Sequence, residues 1–464
     1  MTSISLAEAA ERFGGTLLNP DANFFDLSID SRSAKPDDLF VALKGSNYDG
    51  HSFISSIKNI ICGAVVSEPN FSIDIPQWVV KDTSLALGQL AIMRRESFNG
   101  KVIAVTGSSG KTSVKESIYS ILATRYRVSK TFKNLNNHLG VPLTIFKNDL
   151  DSDFWIVEMG ASSVGEIEYL CKIAKPDFAL INNIQRAHIE GFGSMTNILK
   201  AKSEIYLNLP QNGVAIINLD EESSDYWLQL NSNRKCFTFS EHKVSADVHA
   251  NNIFDYDDGC FEFHLNIRDK ESSTTIGKKV LIDLPGLHHV WNSLAAATVG
   301  LSVGLDIDSI CNGIKDAKVP QGRFQIIDIS NLLKVIDDSY NANPDSFKLA
   351  VGNLERRHGF NIVVIGDLAE LGDQSCQIHN ELGDFIKDSD INLLLSHGVM
   401  SRYTSISCGG RHFDKLKDLL SELSETISRN MDSNHVTNIL VKGSRSSKME
   451  RVVKALLRSY QIPC

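Results

Sequence analysis

The segment Gly107-Ser108-Ser109-Gly110-Lys111-Thr112-Ser113 contains the residue types that bind phosphate. It follows an apolar run, Val102 to Val105, and precedes apolar residues at helical spacing. Glycines let backbone N–H groups close around phosphate oxygens, while the lysine reaches the β and γ phosphates and the threonine hydroxyl binds Mg²⁺. The first glycine comes two residues later than in the general phosphate-loop pattern. The spacing predicts a shortened phosphate loop for ATP and Mg²⁺, and the alternative is a glycine turn that only joins a strand to a helix.

Three other side chains are candidates for a metal or catalytic role. Glu158 follows the apolar run Phe154 to Val157, so its carboxylate at a strand end could share a hard cation with Thr112. Taken alone, Glu158 is more often a solvated acid and His188 a satisfied polar residue. Lys202 taken alone is an ordinary helix lysine that pairs with Glu204 or another nearby acid.

The elements that must position these residues are typical of an α/β protein with three domains. Short apolar runs alternate with helical segments from residue 101 onward, as a parallel sheet requires. Period-two alternation between Ala246 and Leu284 predicts added antiparallel strands within a central phosphate-loop domain. Turn signals at Asn99-Gly100 and near Val319-Pro320 predict the domains 1–99, 100–318 and 319–464, the last one Rossmann-like.

Composition narrows the class of protein. The chain has 464 residues, more than the roughly 250 to 300 at which one hydrophobic core stops growing. A net charge of −9 argues against a nucleic-acid partner, and no run of about 18 apolar residues predicts a membrane span. We therefore expect a cytoplasmic protein. Its scattered cysteines are expected to be reduced: Cys62, Cys171, Cys236, Cys260, Cys311, Cys376, Cys408 and Cys464.

Further motifs follow the phosphate loop in a fixed order. The ordered blocks are Asn134 to Pro142, Glu158 to Ala161, Asn183 to Gly193, Ala201 to Ile205, Asp338 to Ser346, Gly366 to Gly372 and Lys442 to Arg445. Together with the shortened phosphate loop, they resemble the Mur ligase superfamily along nearly the whole chain. The blocks Asp30 to Arg32 and Phe40 to Gly45 are similar to the domain that holds the uridine end of the substrate in this superfamily.

The resemblance implies a reaction and its substrates. The last three blocks are most similar to the superfamily members that join D-alanyl-D-alanine to UDP-N-acetylmuramoyl-tripeptide, consuming ATP through an acyl phosphate. A monomer is the default expectation. Two alternatives stay open: another Mur-type or folylpolyglutamate-type amide ligase, or a phosphate-loop regulator that binds nucleotide without catalysis.

The resemblance also implies residue roles. ATP would contact the phosphate loop together with Asn292, Arg323 and Asp338, and Asn292 is preferred to His289, which replaces an asparagine common in the superfamily. Mg²⁺ would be held by Thr112 and Glu158, and a second ion by His188 and a carbamylated Lys202, so that Lys111, Glu158, His188 and Lys202 form the catalytic set. Substrate contacts are expected at Ser31, Arg32, Asn136, Asn137, Asn341 and Asn343.

Overall fold

The computed structural model describes residues 3–256, 259–268 and 274–460. The N-terminal unit has the strands β1 Ile4–Ser5, β2 Thr16–Leu18, β3 Asn23–Phe24, β4 Leu27–Ser28, β5 Leu39–Val41, β6 Gly63–Val66 and β7 Gln77–Val79, and the helices α1 Leu6–Phe13, α2 Ile54–Ile57 and α3 Thr83–Glu96. Five strands form a sheet in the order β2-β7-β6-β5-β4, in which β2 is antiparallel to β7 and the other neighbours are parallel. Strands β1 and β3 form a separate antiparallel pair.

The limits of α1 follow from its sequence. The Ser5 hydroxyl accepts the Glu8 N–H at 3.2 Å and caps the first turn. The helix ends at Gly14, whose φ of 79° favours glycine. The serine cap and the first glycine of the pair therefore set the two ends of this helix.

The central unit contains a nine-stranded sheet. Its strands are β8 Lys101–Thr106, β9 Val128–Lys130, β10 Phe154–Glu158, β11 Phe178–Ile181, β12 Val214–Asn218, β13 Lys235–Ser240, β14 Val248–Asp255, β15 Phe261–Arg268 and β16 Thr275–Ile282. The order is β16-β15-β14-β13-β12-β11-β8-β10-β9, and the seven strands from β14 to β9 are parallel. Strand β15 is antiparallel to both β14 and β16, which confirms the predicted antiparallel addition.

Helices cover both faces of the central sheet. They are α4 Lys111–Leu122, α5 Gly140–Lys147, α6 Glu166–Ala174, α7 Ile189–Phe192, α8 Met195–Leu207, α9 Ser224–Leu230, α10 His288–Ser302 and α11 Ile307–Lys315. In β8, Val102 and Ala104 face one hydrophobic core while Ile103 and Val105 face another. Because both faces of the strand are buried, its sequence is a continuous apolar run. The carboxyl end of this strand leads directly into the phosphate loop.

The C-terminal unit has a six-stranded sheet. Its elements are β17 Gln325–Ser330, β18 Leu333–Asp338, β19 Phe360–Gly366, β20 Leu393–His397, β21 Arg411–Phe413 and β22 Thr437–Lys442, with α12 Pro344–Glu355, α13 Ser375–Lys387, α14 Ser401–Cys408, α15 Leu416–Asp432 and α16 Glu450–Ser459. The order is β17-β18-β22-β19-β20-β21, and only the pairing of β17 with β18 is antiparallel. Separate hydrophobic cores lie on its two faces.

The α/β fold class predicted from the sequence is confirmed by these sheets. The exact domain limits stay predictions. Across the three described ranges, no helix is both long and apolar enough to span a bilayer. The seven described cysteines are free thiols, as expected, and Cys464 lies outside the described residues.

Candidate active site

The phosphate loop lies between β8 and α4 and is held by the end of the neighbouring strand β11. The Asn183 side-chain oxygen accepts the Ser109 N–H at 2.9 Å, and the Asn183 carbonyl accepts the Ser108 N–H at 3.0 Å. Gly110 has a φ of 75°, and a Cβ there would lie 2.5 Å from the Asn182 amide nitrogen. Neither asparagine is among the site residues predicted from the sequence. Their position directly after the apolar run Phe178 to Ile181 was the available signal.

Lys111 bends back over the loop that precedes it. Its ammonium donates to the Gly107 carbonyl at 2.7 Å and reaches the Ser108 carbonyl at 3.3 Å. Burial lowers the pKa of Lys111 to about 8, although the nearby Glu158 carboxylate acts in the opposite direction. This cation therefore lies at the loop itself, where the charge of a bound phosphate would be concentrated.

Glu158 is the centre of a polar cluster at the end of β10. The Thr112 hydroxyl lies 3.0 and 3.2 Å from its two carboxylate oxygens, and the Asn136 amide donates to it at 2.7 Å. Only 1% of Glu158 is exposed, so the interpretation as a solvated strand-end acid is wrong. The helix α4 supplies Thr112, and the asparagine-rich loop before α5 supplies Asn136. The two predicted metal-binding side chains are thus in direct contact.

Lys115 belongs to this cluster but was not identified from the sequence. Its ammonium is buried, donates to the Thr131 carbonyl at 2.9 Å, and lies 3.6 Å from Glu158 and 3.3 Å from Glu116. It comes four positions after Lys111, so the two lysines lie about one helical turn apart. A lysine in a helix is normally solvated, and the only signal was this spacing.

His188 and Lys202 lie at different depths. His188 lines the same cleft as Glu158, and its imidazole contacts the Glu370 carboxylate of the C-terminal unit. Lys202 is 2% exposed within α8, and its pKa is lowered far below the ordinary value by burial and then by Lys111. Glu204 instead accepts the backbone N–H groups of Gly165 and Glu168, and its charge and that of Glu166 affect the pKa of Lys202 less than burial does. The ordinary pairing of Lys202 with Glu204 is therefore wrong.

Two cavities that share lining residues lie between the central and C-terminal units. The first, of about 290 Å³, is lined by predicted nucleotide residues: Ser108, Ser109, Gly110, Ser113, Asn292, Arg323 and Asp338. The second, of about 790 Å³, is lined by Lys111, Thr112, Asn136, Asn137, Glu158 and His188. Arg323, Asn341 and Asn343 line both cavities, so residues from both units meet at the phosphate loop. Lys202 and Gly107 are not in contact with either space.

One acidic and one aromatic residue of the first cavity were not predicted from the sequence. Glu221 accepts the Ile184 N–H at 3.0 Å, and burial raises the pKa of its carboxyl to about 7. Trp291 lies in the same wall as Asn292, whereas His289 is buried outside the cavity lining. The preference for Asn292 over His289 therefore agrees with the shape of this cavity.

The C-terminal wall is ordered by a buried ion pair and a stacked aromatic ring. Lys442 contacts Asp338, and burial lowers the pKa of the lysine and raises that of the aspartate. The guanidinium of Arg323 lies 4.2 Å from the centre of the Tyr340 ring. Asn343 caps α12 by accepting the Ser346 N–H at 2.7 Å, so this motif is a helix start as well as part of the cleft.

The predicted uridine-side residues lie away from these cavities. Arg32 forms an ion pair with Asp30 at 2.7 Å, and neither Ser31 nor Arg32 lines the two spaces. Asn137 faces the second cavity, while its side-chain oxygen accepts the Gly140 N–H at 2.8 Å and helps to begin α5. The substrate roles of these residues stay predictions.

A phosphate loop on a parallel sheet, facing a second α/β unit across a polar cleft, defines a nucleotide-dependent enzyme of the phosphate-loop class. Two family models match the chain: the Mur ligase middle domain at residues 105–300, and the Mur ligase, glutamate ligase domain at residues 322–445. The chain belongs to the Mur ligase family.

Relatives match over their full length. The chain is 39% identical to the UDP-N-acetylmuramoyl-tripeptide–D-alanyl-D-alanine ligase of Escherichia coli K12, covering 98% of this chain and 99% of the relative. It is 33% identical to the ligase of the same name from Bacillus subtilis 168, with 99% of each covered. Crystal structure I of MurF from Acinetobacter baumannii superposes with a TM-score of 0.90 at 32% identity, covering 99% of both chains. MurF from Thermotoga maritima in complex with ADP gives 0.80 at 26% identity, covering 94% of this chain and 98% of that one.

Proposed function

We propose that this protein joins D-alanyl-D-alanine to UDP-N-acetylmuramoyl-tripeptide at the expense of ATP and through an acyl phosphate, giving UDP-N-acetylmuramoyl-pentapeptide, ADP and phosphate for peptidoglycan synthesis. The observation that carries the proposal is the meeting of Lys111, Thr112 and Glu158 with Arg323 at one cleft. Full-length similarity to ligases of this name supports the choice of substrates. The structure of a relative in complex with ADP supports ATP as the nucleotide.

The chemistry explains why cations surround this cleft. A carboxylate is a poor electrophile, so transfer of the γ-phosphoryl group to a substrate carboxylate supplies a better leaving group. Negative charge then spreads over the phosphoryl and carboxyl oxygens, which positioned cations stabilise. Lys111 on the loop and Arg323 across the cleft have this role in the proposal. The amine of the dipeptide then attacks the acyl phosphate, and phosphate leaves.

Mg²⁺ is proposed as the partner of the nucleotide. Thr112 and Glu158 offer a hydroxyl and a carboxylate within 3.0 Å of each other, which suits an ion that keeps several waters and binds few protein oxygens. Bound there, the ion would neutralise charge on the transferred phosphoryl group. The described residues contain no cluster of three or more acidic, histidine or cysteine ligands, and such a cluster is not required for Mg²⁺ bound through phosphate.

A second ion is proposed at His188 with Lys202. A protonated lysine would repel a cation, but burial favours the neutral amine of Lys202. A neutral amine adds to CO₂, forming an N–C bond and releasing one proton, and the carbamate is an anionic oxygen ligand. Two experiments would test this modification. One is mass analysis of the intact protein in bicarbonate buffer, and the other is the activity of Lys202→Ala with and without added chloride or short carboxylic acids. Unchanged activity in Lys202→Ala would exclude the ligand role.

The remaining roles complete the proposal. Domain 1–99 would hold the uridine end through Ser31 and Arg32, with Asn136 and Asn137 beside the sugar. Domain 100–318 would bind ATP, with Asn292 at the nucleotide. Domain 319–464 would bring Asp338, Asn341 and Asn343 to the nucleotide and the dipeptide. We place the protein in the cytoplasm as a monomer.

The test is phosphate release by the purified protein with ATP, Mg²⁺ and UDP-N-acetylmuramoyl-tripeptide, with and without D-alanyl-D-alanine, followed by mass analysis. Release that depends on the dipeptide and yields the pentapeptide is the expected result. Turnover only with another amino acid would identify a different amide ligase, and nucleotide binding without any turnover would indicate a regulator. The variant Glu190→Ala, which changes an exposed side chain that lines neither cavity, serves as the matched active control.

A further inference from the structure

The loop that contains His188 is joined to the C-terminal unit by three separate contacts. The Arg186 N–H donates to the Asp345 carboxylate at 2.9 Å, and the Glu190 N–H donates to the Glu370 carbonyl at 3.1 Å. Between them, the Glu370 carboxylate contacts the His188 imidazole. We call these three contacts the interdomain contact, to which Glu190 contributes its backbone N–H and not its side chain. Each hydrogen bond joins a backbone group of the central unit to the C-terminal unit, so the contact forms only when the two units are close together.

The backbone on both sides of the contact has an unusual conformation. His188 has a φ of 55° and Glu370 a φ of 62°, in the left-handed region that non-glycine residues seldom adopt. Such conformations persist where the surrounding structure determines them, and they occur often at functional sites. Here the two left-handed residues face each other across the cleft. Their side chains meet because the backbone turns at both residues.

The interdomain contact involves the Nδ1 atom of the His188 imidazole and leaves the Nε2 atom available. The Nδ1 atom of His188 is shielded from solvent, and the Glu370 carboxylate lies directly against it. The imidazole is 28% exposed and lines the cavity that contains Glu158. No described group pairs with Nε2. A carboxylate at one ring nitrogen fixes the tautomer and the orientation of the other.

We infer that Glu370 is a positioning residue, which holds the His188 imidazole from the opposite unit so that Nε2 is presented to the phosphoryl-transfer cleft. The inference rests on the proposed function for the reaction that the cleft performs. Because Glu370 belongs to the C-terminal unit, His188 reaches its working orientation only after the units have closed. Glu370 thereby makes assembly of the site depend on closure, and phosphoryl transfer in the open protein, where water would compete, is disfavoured.

The experiment compares Glu370→Ala, Glu370→Gln and the control Glu190→Ala, which removes a nearby exposed carboxylate but retains its backbone hydrogen bond. We expect Glu370→Ala to lower kcat about 10- to 100-fold, as loss of such an orienting carboxylate does elsewhere, with KM for ATP changed less than threefold. Glu370→Gln should recover part of kcat, because its amide oxygen still accepts from the imidazole. Glu190→Ala should stay within twofold of the unchanged protein.

A double-mutant cycle gives the sharper result. If Glu370 acts through His188, the double variant His188→Ala/Glu370→Ala should be no slower than His188→Ala alone within about twofold. Losses that multiply, or a Glu370→Ala variant with unchanged kcat, would overturn the inference even if the ligase reaction itself is observed.

A second measurement tests the effect of Glu370 on domain closure and does not require enzyme turnover. Small-angle X-ray scattering with a non-hydrolysable ATP analogue should show a smaller radius of gyration for the unchanged protein and for Glu190→Ala than for Glu370→Ala. Identical scattering curves for all three would contradict a contribution of Glu370 to the closed arrangement. Absence of dipeptide-dependent phosphate release from the unchanged protein would instead refute the proposed function, and the scattering result would still decide the role of Glu370 in closure.

Discussion

Replacement of Glu158 by glutamine separates its effect on stability from its effect on catalysis. The carboxylate accepts from Thr112 and Asn136 and lies 3.6 Å from the buried Lys115 ammonium. Glutamine has the same shape but offers one acceptor oxygen, and its NH₂ group must then face another donor. The variant therefore loses a negative charge and places like groups against each other in a buried site.

The structure gives the size of both effects. At 3.6 Å and an effective dielectric constant of about 20, the attraction between Lys115 and Glu158 is about 5 kcal/mol before desolvation is subtracted. Removing one partner of a buried pair destabilises by about 3–5 kcal/mol, and Lys115 retains Glu116 at 3.3 Å, so we expect about 3 kcal/mol. Removal of one group that stabilises the charge formed in a transition state lowers kcat by about 10²- to 10³-fold.

The assay combines urea unfolding with phosphate release for Glu158→Gln and for Glu158→Gln/Lys115→Met. The double variant removes the unpaired ammonium, so it should regain about 1–3 kcal/mol of stability while its phosphate release stays as low as in the single variant. Recovery of phosphate release in the double variant would show that Glu158 acts only by neutralising Lys115. Phosphate release within threefold of normal in the single variant would refute a place for Glu158 in phosphoryl transfer.

Three other predictions concern stability. Glu221 binds a proton more tightly in the folded than in the unfolded protein, so the free energy of unfolding should fall as the pH rises from about 5 to about 7. In urea unfolding, Glu221→Gln should abolish this pH dependence and raise the free energy of unfolding by about 2 kcal/mol at pH 8. Gly313→Ala would place a Cβ 2.3 Å from the Ile121 Cα, so it should lower the free energy of unfolding by about 1–3 kcal/mol or more. Gly352 has open space around its Cα, so Gly352→Ala should raise the free energy of unfolding by about 0.4–1 kcal/mol. The fragment 319–464 should fold alone, because its sheet has hydrophobic cores on both faces; a circular dichroism spectrum without cooperative thermal unfolding would contradict this.

The buried parallel strands were predictable from the sequence. The apolar runs Val102 to Val105 and Phe154 to Val157 differ by at most one residue at each end from the observed strands, since a strand buried on both faces is a continuous apolar run. The two-residue strands β1, β3 and β4 were not predicted. They are too short to show periodicity, and their pairing depends on residues elsewhere in the chain.

The site was predictable where one local segment carries the chemistry. The phosphate loop from Gly107 to Ser113 needed only a strand, two glycines, a lysine and a hydroxyl in order. Lys115 was not predictable in the same way, because its carbonyl partner Thr131 and its acidic partner Glu158 come from other elements of the sheet. The contact of His188 with Glu370 joins residues far apart in sequence and depends on how two units meet.

The hydrophobic core beneath the N-terminal unit limits how far this chain can be shortened. Leu87 and Leu90 of α3 share one core with Val102 of β8 and Trp155 of β10, and the Phe98 ring stacks on Trp155 at 3.8 Å. A protein that started at residue 100 would expose this apolar face to solvent and would tend to aggregate. The N-terminal unit is therefore a structural cover for the ATP-binding sheet, and engineered exchange of substrate specificity between relatives has to keep α3 while altering the loops that lie beyond it.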